Sequence, residues 1–219
     1  MDSIEVEPFQ FKHPFTCQMA GPSQSGKSTL MAAILQNNQS LITPAPTKIL
    51  YCYSRRSDRF EQLKETVYPT MSLCEGLPDI NVLNVEDNNL IILDDLMSQA
   101  EKSKNIEQLF TTDSHHANIS VFLISQNMFS QGKFSRTISL NTHYMALFNN
   151  PRDRSQIGSM GRQMYPTNPH FLPEVYEKVT KNAYGYLFVD LTQTTDNDRR
   201  VQTNILSEED RRIYQPINF

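Results

Sequence analysis

Gly21-Pro22-Ser23-Gln24-Ser25-Gly26-Lys27-Ser28-Thr29 decides the fold, because it fills the phosphate-binding pattern GxxxxGK[ST] and has the flanks such a loop requires. Before it, Phe15-Thr16-Cys17-Gln18-Met19-Ala20 reads as a buried strand; after it, Ser28 to Gln36 is a run of good helix formers. Strand, loop and helix in that order are the setting in which the pattern has meaning. The residue types follow from the chemistry. Gly21 and Gly26 let the backbone curl into a nest of N–H donors around phosphate oxygens, and the positive end of the new helix faces the same anion. Pro22, Ser23, Gln24 and Ser25 complete the cradle, with Thr29 closing it. Lys27 supplies a point charge for the β- and γ-phosphates, and the Ser28 hydroxyl offers a position on Mg2+. The expected ligand is a nucleoside triphosphate.

At 219 residues the chain is long enough for one domain with a full core, and its composition is that of a globular protein. We expect an N-terminal arm over 1–12, carrying Pro8 and an aromatic pair, Phe9 and Phe11, that docks on the sheet or on a neighbour. A single domain then covers 13–219. No window is long and apolar enough for a membrane span, and Met1 to Glu7 lacks the basic start and apolar stretch of a secretory signal. Cys17, Cys52 and Cys74 form no CxxC pair, which fits a reducing compartment, and Cys17 and Cys52 fall on strands as small buried residues. The net charge of −4 argues against a broadly basic nucleic-acid binder. Acidic residues prevail up to residue 129 and basic ones slightly after it, so one locally basic surface is compatible with an acidic body.

Beyond the loop, strands alternate with helices, the pattern of a wound α/β sheet. Strands are expected at Thr47–Tyr53, Leu90–Leu93, Ile119–Ile124, Thr142–Phe148, Tyr184–Asp190 and Val201–Ile205, the last two as a closing hairpin. Helices are expected after a Ser57 cap, over Met97–Thr112, over Asp153–Gln163 and over Leu172–Lys181, with Pro173 in the first turn of the last. Asn37–Pro46 reads as a loop, and Asn81–Asn89 is ambiguous, with room for a short strand.

Leu93-Asp94-Asp95 is the second signal. An acid at the carboxyl end of a buried strand lies on the edge of the sheet where ligands bind. There Asp94 would hold Mg2+ through its water shell and Asp95 would polarise the attacking water. Asp in the second place is one methylene shorter than the Glu usual in such ATPases. A polar amide closes the next strand in Ile124-Ser125-Gln126-Asn127: Gln126 is our choice to sense the γ-phosphate or orient water, with Asn127 in reserve. One strand, Thr47 to Tyr53, separates the loop from the Asp94 strand in sequence. We take this order to mark a P-loop NTPase of the additional-strand, catalytic-acid type, with a mainly parallel central sheet flanked by helices and C-terminal added strands.

The chain resembles the FtsK/HerA-type genome-packaging ATPases of Polinton/Maverick elements, adintoviruses and virophages, relatives of the poxvirus packaging ATPase. Besides the loop, the resemblance rests on His13-Pro14-Phe15, Leu90 to Met97, Ser114-His115-His116, Ser120 to Asn127 and Arg136 to Asn141. It continues in Phe148-Asn149-Asn150-Pro151-Arg152-Asp153, Arg162 to Pro166 and Tyr184 to Leu187. It implies a homo-oligomeric ring that hydrolyses ATP with Mg2+ and drives double-stranded DNA, without regard to sequence, into a viral or virus-like capsid. Partners would be the capsid vertex or other packaging proteins, in the host nucleus or a cytoplasmic virus factory, or on the virion. Members of that family tend to carry a basic residue directly after the His pair, suited to act as an arginine finger on a neighbour's ATP. Here that place is Ala117, which leaves Arg136, Arg152 or Arg154 as trans arginine, or no finger.

Two other readings stay open. A P-loop kinase or remodelling ATPase would act on a small acceptor or a protein, although no NKxD base-reading motif or Arg-rich lid supports it. A nucleotide-gated capsid or DNA scaffold would hydrolyse ATP weakly. His115 and His116 have no third ligand at metal spacing, and Phe122, Phe129, Tyr144 and Phe148 read as core.

Overall fold

The structure, a computed structural model, describes residues 8–80, 83–100, 102–111, 118–128 and 135–216. In chain order the elements are β1 (Phe11–Lys12), β2 (Thr16–Ala20), α1 (Lys27–Gln36), α2 (Asn38–Leu41), β3 (Ile42–Thr43), β4 (Lys48–Tyr53), α3 (Asp58–Thr66), β5 (Ser72–Glu75) and β6 (Asn89–Asp94). They continue with α4 (Met97–Ala100), α5 (Lys104–Thr111), β7 (Ile119–Ser125), α6 (Ser135–Leu140), β8 (Tyr144–Phe148), α7 (Arg154–Met164), α8 (Phe171–Val179), β9 (Tyr186–Asp190), β10 (Val201–Thr203) and β11 (Arg212–Tyr214).

Among the described residues, nine strands form the main sheet in the order β11-β10-β9-β8-β2-β7-β6-β4-β5. From β8 to β5 all pairings are parallel, and β9, β10 and β11 are added antiparallel. The strand inserted between the loop strand β2 and the acid strand β6 is therefore β7. The expected Thr47–Tyr53 strand, β4, lies on the far side of β6. The fold class stands, but its defining strand is a different one, because chain order does not fix order in a sheet: the chain runs outward through β4 and β5, then returns.

Both faces of the sheet are covered, which is why the central strands read as continuous apolar runs. Leu90, Ile92, Phe122, Ile124, Tyr144 and Phe148 pack with α1 and α3 through Leu30, Ile34, Phe60 and Leu63. On the opposite face, Ile91, Leu93, Val121 and Leu123 meet Ile106, Leu109 and Phe110 of α5. Met145, Leu147, Leu187 and Val189 meet α7 and α8. Cys17 and Cys52 are buried in the sheet, and all three cysteines are free.

The aromatic pair near the start is part of this core. Phe11 is fully buried, with its ring stacked on Phe15 (4.9 Å) and edge-on to Phe122 and Tyr144. Phe9 stands edge-on to Phe188. β1 pairs in parallel with β3, which lies inside the expected loop 37–46, as does α2. His13, at the head of β2, spans Ser120 Oγ (2.5 Å) and Asn118 Oδ1 (2.9 Å), while Phe15 N–H donates to Ser120 Oγ.

Other departures have local causes. The helix expected over 97–112 is split into α4 and α5, with Thr112 outside the described residues. Between 83 and 89 only Asn89 is in a strand. The short edge strands β5 and β11 were not foreseen, being three or four residues long and only half-covered. Ser57 caps α3 by accepting from Arg59 N–H, as expected. No described helix is long and apolar enough to cross a membrane.

Candidate nucleotide site

The parallel register aligns the carboxyl ends of three strands: Ala20 pairs with Ser125 and Asp94 with Ile124. From Ala20 the chain enters the loop, whose Gly21 N–H donates to Ser125 O at 3.3 Å. Gly26, at φ 107°, turns the chain into α1 from a conformation that an L side chain rarely adopts, and its carbonyl accepts from Leu30 N–H at 2.9 Å. Lys27 Nζ donates to the carbonyls of Gly21 (2.5 Å) and Pro22 (2.8 Å), so its charge lies over the loop it follows.

The acids face that charge. Burial pulls the Lys27 ammonium below its ordinary range, and the carboxylates of Asp94 and Asp95 both oppose that pull. Asp94 is pushed upward chiefly by burial and further by Asp95. Tyr51, Lys27 and Arg59 act in the other direction, and the Tyr51 hydroxyl donates to Asp94 Oδ2 at 2.7 Å. Asp95 has left-handed backbone (φ 55°), which Asp tolerates better than most residues, and its N–H donates to Ile124 O at 3.2 Å. Its Oδ1 accepts from Gln126 Nε2 at 3.4 Å. Lys27, Asp94, Asp95 and Gln126 thus share one ledge of the sheet.

A cleft of about 230 Å3 opens above the start of α1, between the loop residues 24–29, Arg59 and Tyr184. Ser25 Oγ, on its wall, is buried and has no hydrogen-bond partner among the described residues, a place that a phosphate oxygen would satisfy. Ser28 and Asp94 offer the hard oxygens that Mg2+ takes. No group of three or more His, Cys, Asp or Glu that could hold a metal occurs among the described residues; Mg2+ commonly takes one or two protein oxygens and completes its shell with phosphate and water.

A second cleft, of about 400 Å3, lies on the other flank of the loop, between Pro22, Ser23, Gln126, Asn127, Asn150 and Arg152. Of the three candidate arginines, only Arg152 lines either cleft beside the loop. Arg154 pairs with Glu177 at 3.3 Å, and Arg136 is exposed on α6. Arg152 is set there by a polar hub: Asp153 Oδ2 accepts from Met128 N–H (3.2 Å) and Asn150 Nδ2 (2.9 Å), and Asn150 N–H donates to Tyr176 Oη. Ser114, His115, His116, Ala117 and Phe129 lie outside the described residues. Phe122, Tyr144 and Phe148 are core, as expected.

Sequence reasoning missed Tyr51, Arg59 and Tyr184. Arg59, in the first turn of α3, reaches Thr29 Oγ1 at 3.5 Å and acts on Asp94. The sequence of β4 shows Tyr51 only as one of a run of buried residues, and nothing in it tells that β4 neighbours β6.

Sheet, loop and acid ledge together define the P-loop NTPase fold. The chain is similar to the DNA-packaging ATPase B204 of Sulfolobus turreted icosahedral virus, at 14% identity over 94% of this chain and 100% of that one, with a TM-score of 0.55. It is also similar to the genome packaging NTPase B204 of Sulfolobus turreted icosahedral virus 2 in complex with AMPPCP, at 13% identity over 93% and 98% of the two chains, with a TM-score of 0.54. At such identities the likeness is one of fold. No family model matches the chain, and none of the curated proteins compared with it does.

Proposed function

We propose that the chain hydrolyses ATP with Mg2+ to move double-stranded DNA into a viral or virus-like capsid, working as a ring of identical subunits inside the host cell. The carrying observation is the convergence of Lys27, Asp94, Asp95 and Gln126 on one ledge beside the loop. The likeness to the two viral packaging enzymes over nearly the whole chain supports the choice among P-loop functions.

In this reading the loop amides and Lys27 hold the phosphates, and Ser28 and Asp94 hold the cation. Bound there, Mg2+ supplies positive charge to the phosphate oxygens. Asp95 takes the proton of the water whose oxygen attacks the γ-phosphorus, as the bond to the ADP oxygen breaks. Gln126, bonded to the same carboxylate, aligns that water and registers the loss of the γ-phosphate. DNA is gripped through its backbone phosphates, so binding depends on salt and not on sequence.

The test is ATP turnover by the assembled protein with and without duplex DNA across ionic strengths. Stimulation that fades with salt supports the motor. Turnover that answers only to a small acceptor or protein, or that stays minimal in single-turnover conditions with DNA, rejects it.

A further inference from the structure

The loop and the acid ledge engage the phosphates and leave the nucleoside end of the ligand without a partner. We infer that Tyr184 is the stacking platform for the base of the bound nucleotide, an inference that rests on the nucleotide-binding reading of the loop. Tyr184 lies in the turn between α8 and β9 and leaves 71% of its surface in solvent. Its φ of 65° is left-handed, which costs a bulky residue on the order of 1–3 kcal/mol and is a form of strain that collects at ligand clamps.

The turn enforces that conformation. Gly185 N–H donates to Asn182 O at 3.1 Å, and a Cβ at 185 would lie 2.1 Å from Val179 O, so only glycine lets the turn press against the end of α8. The Tyr184 side chain is seated against the loop: a Cβ built on Gly26 would meet both its Cβ and its Cδ1 at 3.2 Å. It forms one wall of the cleft over residues 24–29. An exposed ring is thus held in a strained, fixed position at the rim of the phosphate cradle.

Sheet order says which end of the ligand meets it. Asp94, Asp95 and Gln126 stand on the β7–β6 side of β2, where the terminal phosphate must lie to react. Tyr184 arrives from the β8–β9 side. A triphosphate laid along the loop with its γ end toward Asp95 leads its nucleoside toward Tyr184. Stacking reads the π face of a base and not its hydrogen-bonding edge, so ATP and GTP are held alike and the smaller pyrimidines less well.

The chain has no tryptophan, so Tyr184→Trp introduces a sole indole at the platform. ATP and GTP should quench its fluorescence and inorganic tripolyphosphate should not. By calorimetry, Tyr184→Ala should weaken ATP binding roughly 5–150-fold, the worth of one stacked base, and leave tripolyphosphate binding unchanged. Tyr184→Phe should keep the wild-type affinity. If Tyr184→Ala binds ATP as tightly as wild type while both bind tripolyphosphate, the platform is wrong and the loop reading survives. If folded wild-type protein binds neither ATP nor tripolyphosphate, the loop reading fails and takes the platform with it.

Discussion

Tyr51 donates its hydroxyl to Asp94 Oδ2 at 2.7 Å from the neighbouring strand, so the acid that faces Lys27 is steered by a ring rooted in the core. The bond partly offsets the burial that pushes the Asp94 carboxyl upward. A carboxyl raised above its unfolded value binds its proton more tightly in the folded state, so stability falls as pH rises from the ordinary carboxylate range through the raised value. Asp94→Asn removes that loss and can still accept from Tyr51. In metal-free buffer near neutrality it should melt higher than wild type, each kcal/mol reading as about 2–4 °C in a chain of this size. The gain should vanish as pH drops below the ordinary carboxylate value.

Asp95 and Gln126 share a hydrogen bond and should divide binding from chemistry. Asp95→Asn should leave ATP affinity near wild type and lower turnover about 10²–10⁴-fold, the usual contribution of a general base. Gln126→Ala should also spare affinity and cost less turnover. Single-turnover hydrolysis beside calorimetric titration checks both.

His13 provides a pH response away from the site. Burial lowers its pKa from 6.5. The neutral ring can donate to Asn118 and accept from Ser120, whose Oγ in turn accepts from Phe15 N–H. With the pKa lowered in the folded state, stability is full above about pH 6.5 and declines as pH falls through that value. Melting curves from about pH 7.5 to about pH 5.5 should show the decline, and His13→Gln should flatten it.

Phe11 tests how far the core reaches toward the start of the chain. It is fully buried among Phe15, Phe122 and Tyr144. Phe11→Ala should cost about 3–5 kcal/mol of unfolding free energy by denaturant titration, as for other large aromatic truncations. A cost under about 1 kcal/mol would mean that residues 8–12 are not part of the cooperative unit.

Arg152 lines a cleft with Pro22, Ser23 and Gln126 of its own chain. Mixing Arg152→Ala subunits with Lys27→Ala subunits should restore part of the hydrolysis if the guanidinium serves a neighbour. With no recovery, Arg152 belongs to its own loop.

What the sequence made legible has a physical reason. Lys27, Asp94 and Gln126 each follow a buried apolar run, and the ends of parallel strands meet on one edge, so linear position was enough to foresee their meeting. Tyr51 and Arg59 reach the site from β4 and α3, and their role depends on lateral order in the sheet, which chain order disguises. The same disguise made β4 look like the inserted strand in place of β7. Tyr184 escaped because it sits in a turn, where no hydrophobic period marks a residue as belonging to anything. His13-Pro14-Phe15 drew notice as part of a resemblance, and its work is to fasten β2 to β7.

The exit of β7 is moored on both sides, to Gly21 through Ser125 O and to Asp95 through Ile124 O. The loop, the end of β7 and Asp95 are therefore tied into one hydrogen-bonded unit. A short run of backbone past Gln126 joins that unit to Met128, whose N–H donates to Asp153 Oδ2 beside Arg152. In the proposed motor, a change at the loop would reach the turn that carries Arg152 through a linkage only a few residues long.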